Sequence, residues 1–212
     1  MRSIRKWWFT SCVVLLFATV AWYIWDTGHQ AALSTQCHSR IFEVASAIQM
    51  YKLQHGSLPP RVVYVDGVPM HSWRVLILQY IDRQLFNQYR FNEPWDSKHN
   101  MALASQRPSC FACPNTAAIE PFHTSYLAIT SSQLVIVDKA HAQSATNATG
   151  FSLIAETRRT DIHWMAPVDI AIDDLSPEID DFIGGNHLNG GKAATVTGRV
   201  VSIGDLPPAT LI

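Results

Sequence analysis

From Trp7 to Trp25 the chain runs for 19 residues without a charge, and only Thr10, Ser11 and Thr19 are clearly polar. A helix of that length spans about 28 Å, close to the roughly 30 Å hydrocarbon core of a bilayer. Trp7 and Trp8 sit at one end of the run and Trp22, Tyr23 and Trp25 at the other, the placement expected of rings that settle at membrane interfaces. Arg2, Arg5 and Lys6 precede the run and Asp26 follows it, so the positive-inside rule predicts a cytoplasmic N-terminus. A cleaved signal peptide would offer a shorter apolar stretch followed by small residues. This run ends instead in Trp-Tyr-Ile-Trp. The expected organisation is a cytoplasmic N-terminus at 1–6, a signal anchor at 7–25, an extracytoplasmic domain at 27–206 and a tail at 207–212. The protein would cross the cytoplasmic (inner) membrane once.

The exported part carries 13 Lys+Arg against 16 Asp+Glu, and the whole chain 16 against 17. That balance excludes a general nucleic-acid binder, which shows a basic excess. With 48% hydrophobic and 16% charged residues, the chain also cannot be disordered, a state that requires few apolar groups and many charges.

Residues 30–55 predict a helix continuous with the anchor, because Ile41, Val44, Ala45, Ile48 and Tyr51 recur at spacings of three and four. Gly56 and Pro59-Pro60 end it. Residues 62–68 predict a short strand with a turn, and Ser72–Tyr89 a second helix capped by Ser72. Beyond the irregular, Pro-containing stretch 90–120, the pattern predicts strands at Thr124–Thr130, Gln133–Asp138 and Phe151–Thr157, with a loop at 139–150. Ala193–Val196 and Arg199–Ile203 predict a final hairpin with a two-residue turn at Thr197-Gly198. A long N-terminal helix followed by antiparallel strands is an α+β class, with the helical stripe buried against one face of the sheet.

Cys37, Cys110 and Cys113 lie in the exported part, where thiols oxidise; three pairings are possible, and a structural disulfide is expected, Cys37–Cys113 in preference to Cys110–Cys113. Cys110 and Cys113 form one C-x-x-C, but zinc usually takes two such pairs. The nine histidines are dispersed, without a His-x3-His or His-Glu-x-x-His spacing. The run from Asp169 through Asp173, Asp174, Glu178 and Asp180 to Asp181 holds six acids and no base. Clustered carboxylates suit calcium, and the alternative is a solvated acidic face. Trp73, Trp95 and Trp164 are either packing anchors or a stacking platform for a ligand such as a sugar.

In order along the chain, Gln36-Cys37 leads to Ser57-Leu58-Pro59-Pro60, and His71-Ser72-Trp73-Arg74-Val75-Leu76 to Pro94-Trp95-Asp96-Ser97 and Asn100. Cys113-Pro114 and Thr124-Ser125-Tyr126 follow, then Glu156, Trp164, Pro167 and Asp169-Ile170, then His187 and, nine residues later, Thr197-Gly198. Together these segments resemble the bacterial prepilin-like family called domain of unknown function 1559, also labelled a bacterial solute-binding family. Members of it end in an H-x9-DG motif. Thr197 stands where that motif has Asp, and no Gly-Phe-Thr-Leu run of the prepilin-peptidase type precedes the apolar helix. The resemblance implies a pilin-like head and makes His71, Trp73, Trp95, Asp96, Trp164, Pro167, Asp169, His187 and Gly198 its motif positions.

No Ser/His/Asp or Cys/His signature is present, so the expectation is a non-enzymatic protein without a cofactor. It would work through the membrane and through self-assembly or envelope protein partners, not nucleic acid. The rival reading is an extracytoplasmic solute-binding module, which requires a concave, aromatic-lined pocket.

Overall fold

The computed structural model describes residues 2–115, 120–130, 153–171, 183–185, 187 and 190–203, with side chains from Cys12 onward. Helix α1 runs from Arg2 to His55, 54 residues without a break, or about 80 Å at 1.5 Å per residue. Its two halves meet different surroundings. Leu15, Leu16, Phe17, Trp22, Tyr23, Ile24 and Trp25 are exposed, whereas Cys37, Ile41, Val44, Ala45 and Ile48 are completely buried. The periodic stripe is therefore the face that docks on the head. Gly56 ends the helix in the left-handed conformation at φ +75°, and its N–H satisfies the Lys52 carbonyl.

The strand and turn expected at 62–68 form the start of a hairpin. β1 (Val62–Val65) pairs antiparallel with β2 (Val68–Ser72). Asp66 and Gly67 both have positive φ, 51° and 79°, the pattern of a tight hairpin turn.

The single helix expected over Ser72–Tyr89 is three short ones: α2 (Trp73–Leu76), α3 (Leu78–Ile81) and α4 (Arg83–Gln88). Ser72 is the N-cap, accepting from the Arg74 N–H. Asp82 makes the main break. Its backbone is extended, and its side chain accepts from the Leu85 N–H, so the residue caps a new helix instead of continuing the old one. The same break leaves Trp73, Val75, Leu78 and Leu85 all buried in the core.

The stretch after Tyr89 holds α5 (Lys98–Met101) and two 3-10 turns at 104–106 and 109–111. Buried Asn100 organises it. Its Oδ1 accepts from the Arg90 N–H at 3.0 Å, and its Nδ2 donates to the carbonyls of Arg90 and Pro94 at 3.0 and 2.9 Å.

The main sheet has the order β5-β3-β4-β6-β7, built from β3 (Tyr126–Thr130), β4 (Leu153–Glu156), β5 (Ile170–Ala171), β6 (Lys192–Thr195) and β7 (Val200–Ser202). Its pairings are antiparallel except that β5 lies parallel to β3. The two-residue turn expected at Thr197-Gly198 is a three-residue loop, 196–198: the Thr195 N–H donates to the Arg199 carbonyl, the Gly198 N–H donates to the Thr195 carbonyl, and Gly198 takes the left-handed position at φ +89°. The strand expected at Gln133–Asp138 and the loop at 139–150 lie outside the described residues.

Alternation along the strands splits the core in two. Tyr126, Ala128, Ile154 and Ala194 share a cluster with the α1 stripe and with Trp73, Phe111 and Trp164. Leu127, Ile129, Leu153, Ala155 and Ala193 pack on the other face with Ile162, Ile170 and Ile183. The arrangement is α+β, with the long helix laid on the sheet as its periodicity requires.

Candidate functional site

Four residues from four separate segments meet where α1 crosses the sheet. Cys37 comes from the buried stripe of α1, and Cys113 follows the 3-10 turn at 109–111. Glu156 ends β4, and His187 precedes β6. All four are buried, and one donor atom from each lies within 4.8 Å of the other three.

Cys37 and Cys113 are joined as a disulfide with their Cα atoms 5.2 Å apart. The loop carrying Cys113 is held by two bonds. Its N–H donates to Ser125 Oγ at 2.9 Å, and Arg40 on α1 donates to the Ala112 carbonyl at 2.8 Å. Cys110 is a free, buried thiol outside the cluster, and burial pushes its ionisation up. Its pairing with Cys113 does not form.

Glu156 is the unusual member. Its relative exposure is 1%, on a strand whose four residues are all buried. Oε2 accepts from the Lys192 N–H at 2.8 Å. Oε1 lies 3.5 Å from Cys37 Sγ and 3.6 Å from His187 Nε2. Burial pushes the carboxyl up to about 7, against the pull of the Lys192 N–H and the Lys192 charge. His187 Nε2 sits 3.1 Å from Cys113 Sγ, while Nδ1 faces the Asn115 amide at 3.3 Å. Burial, and then the charge of Lys192, lowers the His187 pKa.

Glycine makes room for this. A Cβ on Gly185 would lie 2.4 Å from Glu156 Oε2, and one on Gly191 would lie 2.5 Å from the Gly185 nitrogen. The Gly-rich passage after His187 thus permits the close approach of the last hairpin to the 184–185 segment.

The other motif residues build the head around the cluster. His71 is buried, with Nδ1 2.9 Å from the Tyr89 hydroxyl and Nε2 3.0 Å from the Phe91 carbonyl. A carbonyl only accepts, so Nε2 carries the proton and Nδ1 accepts from Tyr89. Trp73 and Trp164 have no exposed surface. Their indole N–H groups donate to Asp169 Oδ1 and the Ala104 carbonyl, and both rings pack on Phe111. Trp95 is half-buried beside His163. Two of the three tryptophans are therefore core anchors, unavailable as a stacking platform. Asp96 is exposed, Pro167 half-buried, and Gly198 is the turn residue.

Asp169 does not join a solvated acidic face. It lies in the core against Arg74 at 2.8 Å, and the same Oδ1 accepts from the Trp73 indole and the Ala128 N–H. Asp173, Asp174, Glu178, Asp180 and Asp181, the rest of the calcium candidate, lie outside the described residues.

Sequence spacing did not single out Glu156 as a site residue. Its strand is apolar and four residues long, and a charged residue ending a fully buried strand was the available signal.

No curated protein and no solved structure matches the chain. One family model does, described as a protein of unknown function, DUF1559, over residues 27–173. That span takes in Cys37, Cys113 and Glu156 and ends before His187 and the Thr197-Gly198 turn. By this match over most of its length, the chain belongs to the DUF1559 family.

Proposed function

We propose that this is a non-enzymatic, single-pass membrane protein. Its pseudopilin-like head stands on the extracytoplasmic side of the cytoplasmic membrane and works by assembly or by interaction with envelope partners. The observation that carries this reading is the continuity of α1. Among the described residues one helix is long and apolar enough to cross a membrane, and the same helix proceeds without interruption into the head's core. Its exposed half, from Val13 to Trp25, presents a lipid-compatible surface that none of the described residues of the head covers. Arg2, Arg5 and Lys6 ahead of the span support a cytoplasmic N-terminus.

The candidate site supports a non-enzymatic role. Its donors are sealed from solvent, whereas turnover requires a reacting group that substrate can reach. The burial of Trp73 and Trp164 speaks in the same direction, since a solute-binding module would present such rings in a cleft.

The test is fractionation followed by protease protection and crosslinking in intact membranes. The full chain should resist carbonate extraction, its head should be digested only from the extracytoplasmic side, and crosslinking should give a homo- or hetero-oligomer. Recovery as a soluble protein, digestion from the cytoplasmic side, or monomers alone at every crosslinker length would overturn the reading.

A further inference from the structure

We propose that Cys37, Cys113, Glu156 and His187 form a zinc-type metal site that replaces the disulfide when the two cysteines are reduced. The inference stands apart from the membrane reading and rests on the geometry of the head.

The donor set is two thiols, an imidazole and a carboxylate, the combination that a borderline-soft divalent ion such as zinc takes. In a tetrahedral zinc centre, sulfur sits at about 2.3 Å and nitrogen or oxygen at about 2.0–2.2 Å, so adjacent ligand atoms are roughly 3.3–3.8 Å apart. Three contacts in the cluster already have such lengths or come near them. Cys37 Sγ to Glu156 Oε1 is 3.5 Å, Glu156 Oε1 to His187 Nε2 is 3.6 Å, and His187 Nε2 to Cys113 Sγ is 3.1 Å. The covalent link between the two sulfurs must open, and the remaining donor atoms already lie within 4.8 Å of one another.

Orientation agrees with this. Glu156 Oε2 is held by the Lys192 N–H, which leaves Oε1 for the cluster. The Asn115 amide lies against His187 Nδ1; with its oxygen turned to that nitrogen it would accept from Nδ1–H and leave Nε2 bare for the metal. Fixing the far atom of each ligand in this way is how protein metal sites orient their near atoms. A disulfide by itself gives no reason for a carboxylate buried to 1% exposure within 3.6 Å of an imidazole. A divalent cation does, because it offsets the desolvation of that carboxylate. Four protein ligands without an open position make a structural or regulatory centre rather than a hydrolytic one.

The chemistry balances. A dithiol reductant gives two electrons and two protons to the Cys37–Cys113 bond and is itself oxidised to a disulfide, leaving two thiols in the head. Binding of Zn²⁺ then releases the two thiol protons to solvent, since thiolates are the ligands.

The experiment uses the full chain in detergent micelles, as oxidised and as phosphine-reduced protein, titrated anaerobically with Co²⁺. The reduced chain should bind one Co²⁺, with a thiolate-to-cobalt charge-transfer band and the strong visible bands of a tetrahedral ion, both abolished by Zn²⁺. The oxidised chain should show neither. Cys110→Ser should retain the bands, Cys37→Ser and His187→Ala should lose them, and Glu156→Gln should weaken binding at least about tenfold. If Cys37→Ser fails to fold, Glu156→Gln and His187→Ala carry the comparison. A reduced chain without a thiolate–cobalt band, equal binding by oxidised protein, or bands that survive in both His187→Ala and Glu156→Gln would overturn the proposal.

Discussion

Arg74 and Asp169 form a 2.8 Å ion pair in which neither side chain reaches solvent. The guanidinium also donates twice to the Tyr126 carbonyl, and Asp169 Oδ1 accepts from the Ala128 N–H and the Trp73 indole. The pair therefore ties α2, β3 and the segment leading to β5. For Asp169 burial raises the pKa against the pull of Arg74, the Ala128 N–H and the Trp73 indole, with the Arg74 charge the strongest of these opposing pulls. Asp169→Asn should cost roughly 3–5 kcal/mol, because it strands a buried charge. Replacing both residues with apolar ones should cost less than the single change. Denaturant midpoints of the wild type, Asp169→Asn, Arg74→Met and the apolar double variant check this, and additive single effects would refute the coupling.

Gly185 tests how tightly the cluster is built. Its missing Cβ leaves 2.4 Å to Glu156 Oε2, which already accepts from Lys192. Gly185→Ala should destabilise the head by about 1–3 kcal/mol through overpacking. Gly28→Ala, where a Cβ meets nothing, should not destabilise it. Thermal melting of both variants decides, and equal melting temperatures would show that the contact relaxes freely.

The docked half of α1 should be sensitive on one face alone. Ile48→Ala removes a fully buried side chain and should cost about 2–5 kcal/mol. Phe42→Ala removes one that is 51% exposed and should stay within about 0.5 kcal/mol. A large effect at Phe42 in the isolated protein would contradict the stripe.

His163 predicts a pH dependence. Burial, and then the charge of His123, lower its pKa from 6.5 to about 4. Between those values the unfolded chain binds more protons, so this contribution is complete above pH 6.5 and is lost as pH falls through 4. Glu156 acts oppositely. Raised from 4.5 to about 7, it favours the fold at low pH and loses that effect as pH rises through 7. His163→Asn should flatten the acid side of the curve and leave the Glu156 slope. An NMR titration that gives His163 an ordinary pKa would dispose of the first part.

What the sequence reveals follows from how local the physics is. The α1 stripe was legible because Ile41, Val44, Ala45 and Ile48 repeat within one helix, and all four are fully buried. The Ser72 cap and the place of the last turn, with Gly198 as its left-handed residue, were legible because caps and turns are decided within a few residues, though the turn is one residue longer than the pair Thr197-Gly198. The division of Ser72–Tyr89 was not, because apolar spacing continues across Asp82 while its side chain caps a new helix. β5, two residues long and parallel to β3, carries too little pattern to announce itself. The four-residue cluster was hidden for a different reason. Its first two members are 76 positions apart, and only the sheet's order brings Glu156 and His187 to them.

The unbroken backbone between Asp26 and Cys37 has a mechanical meaning. In the membrane reading proposed above there is no swivel between span and head, so a lean of the span by about 20°, the common tilt of such helices, would turn the whole lobe through the same angle. Bilayer thickness would then set which side of the lobe faces its neighbours.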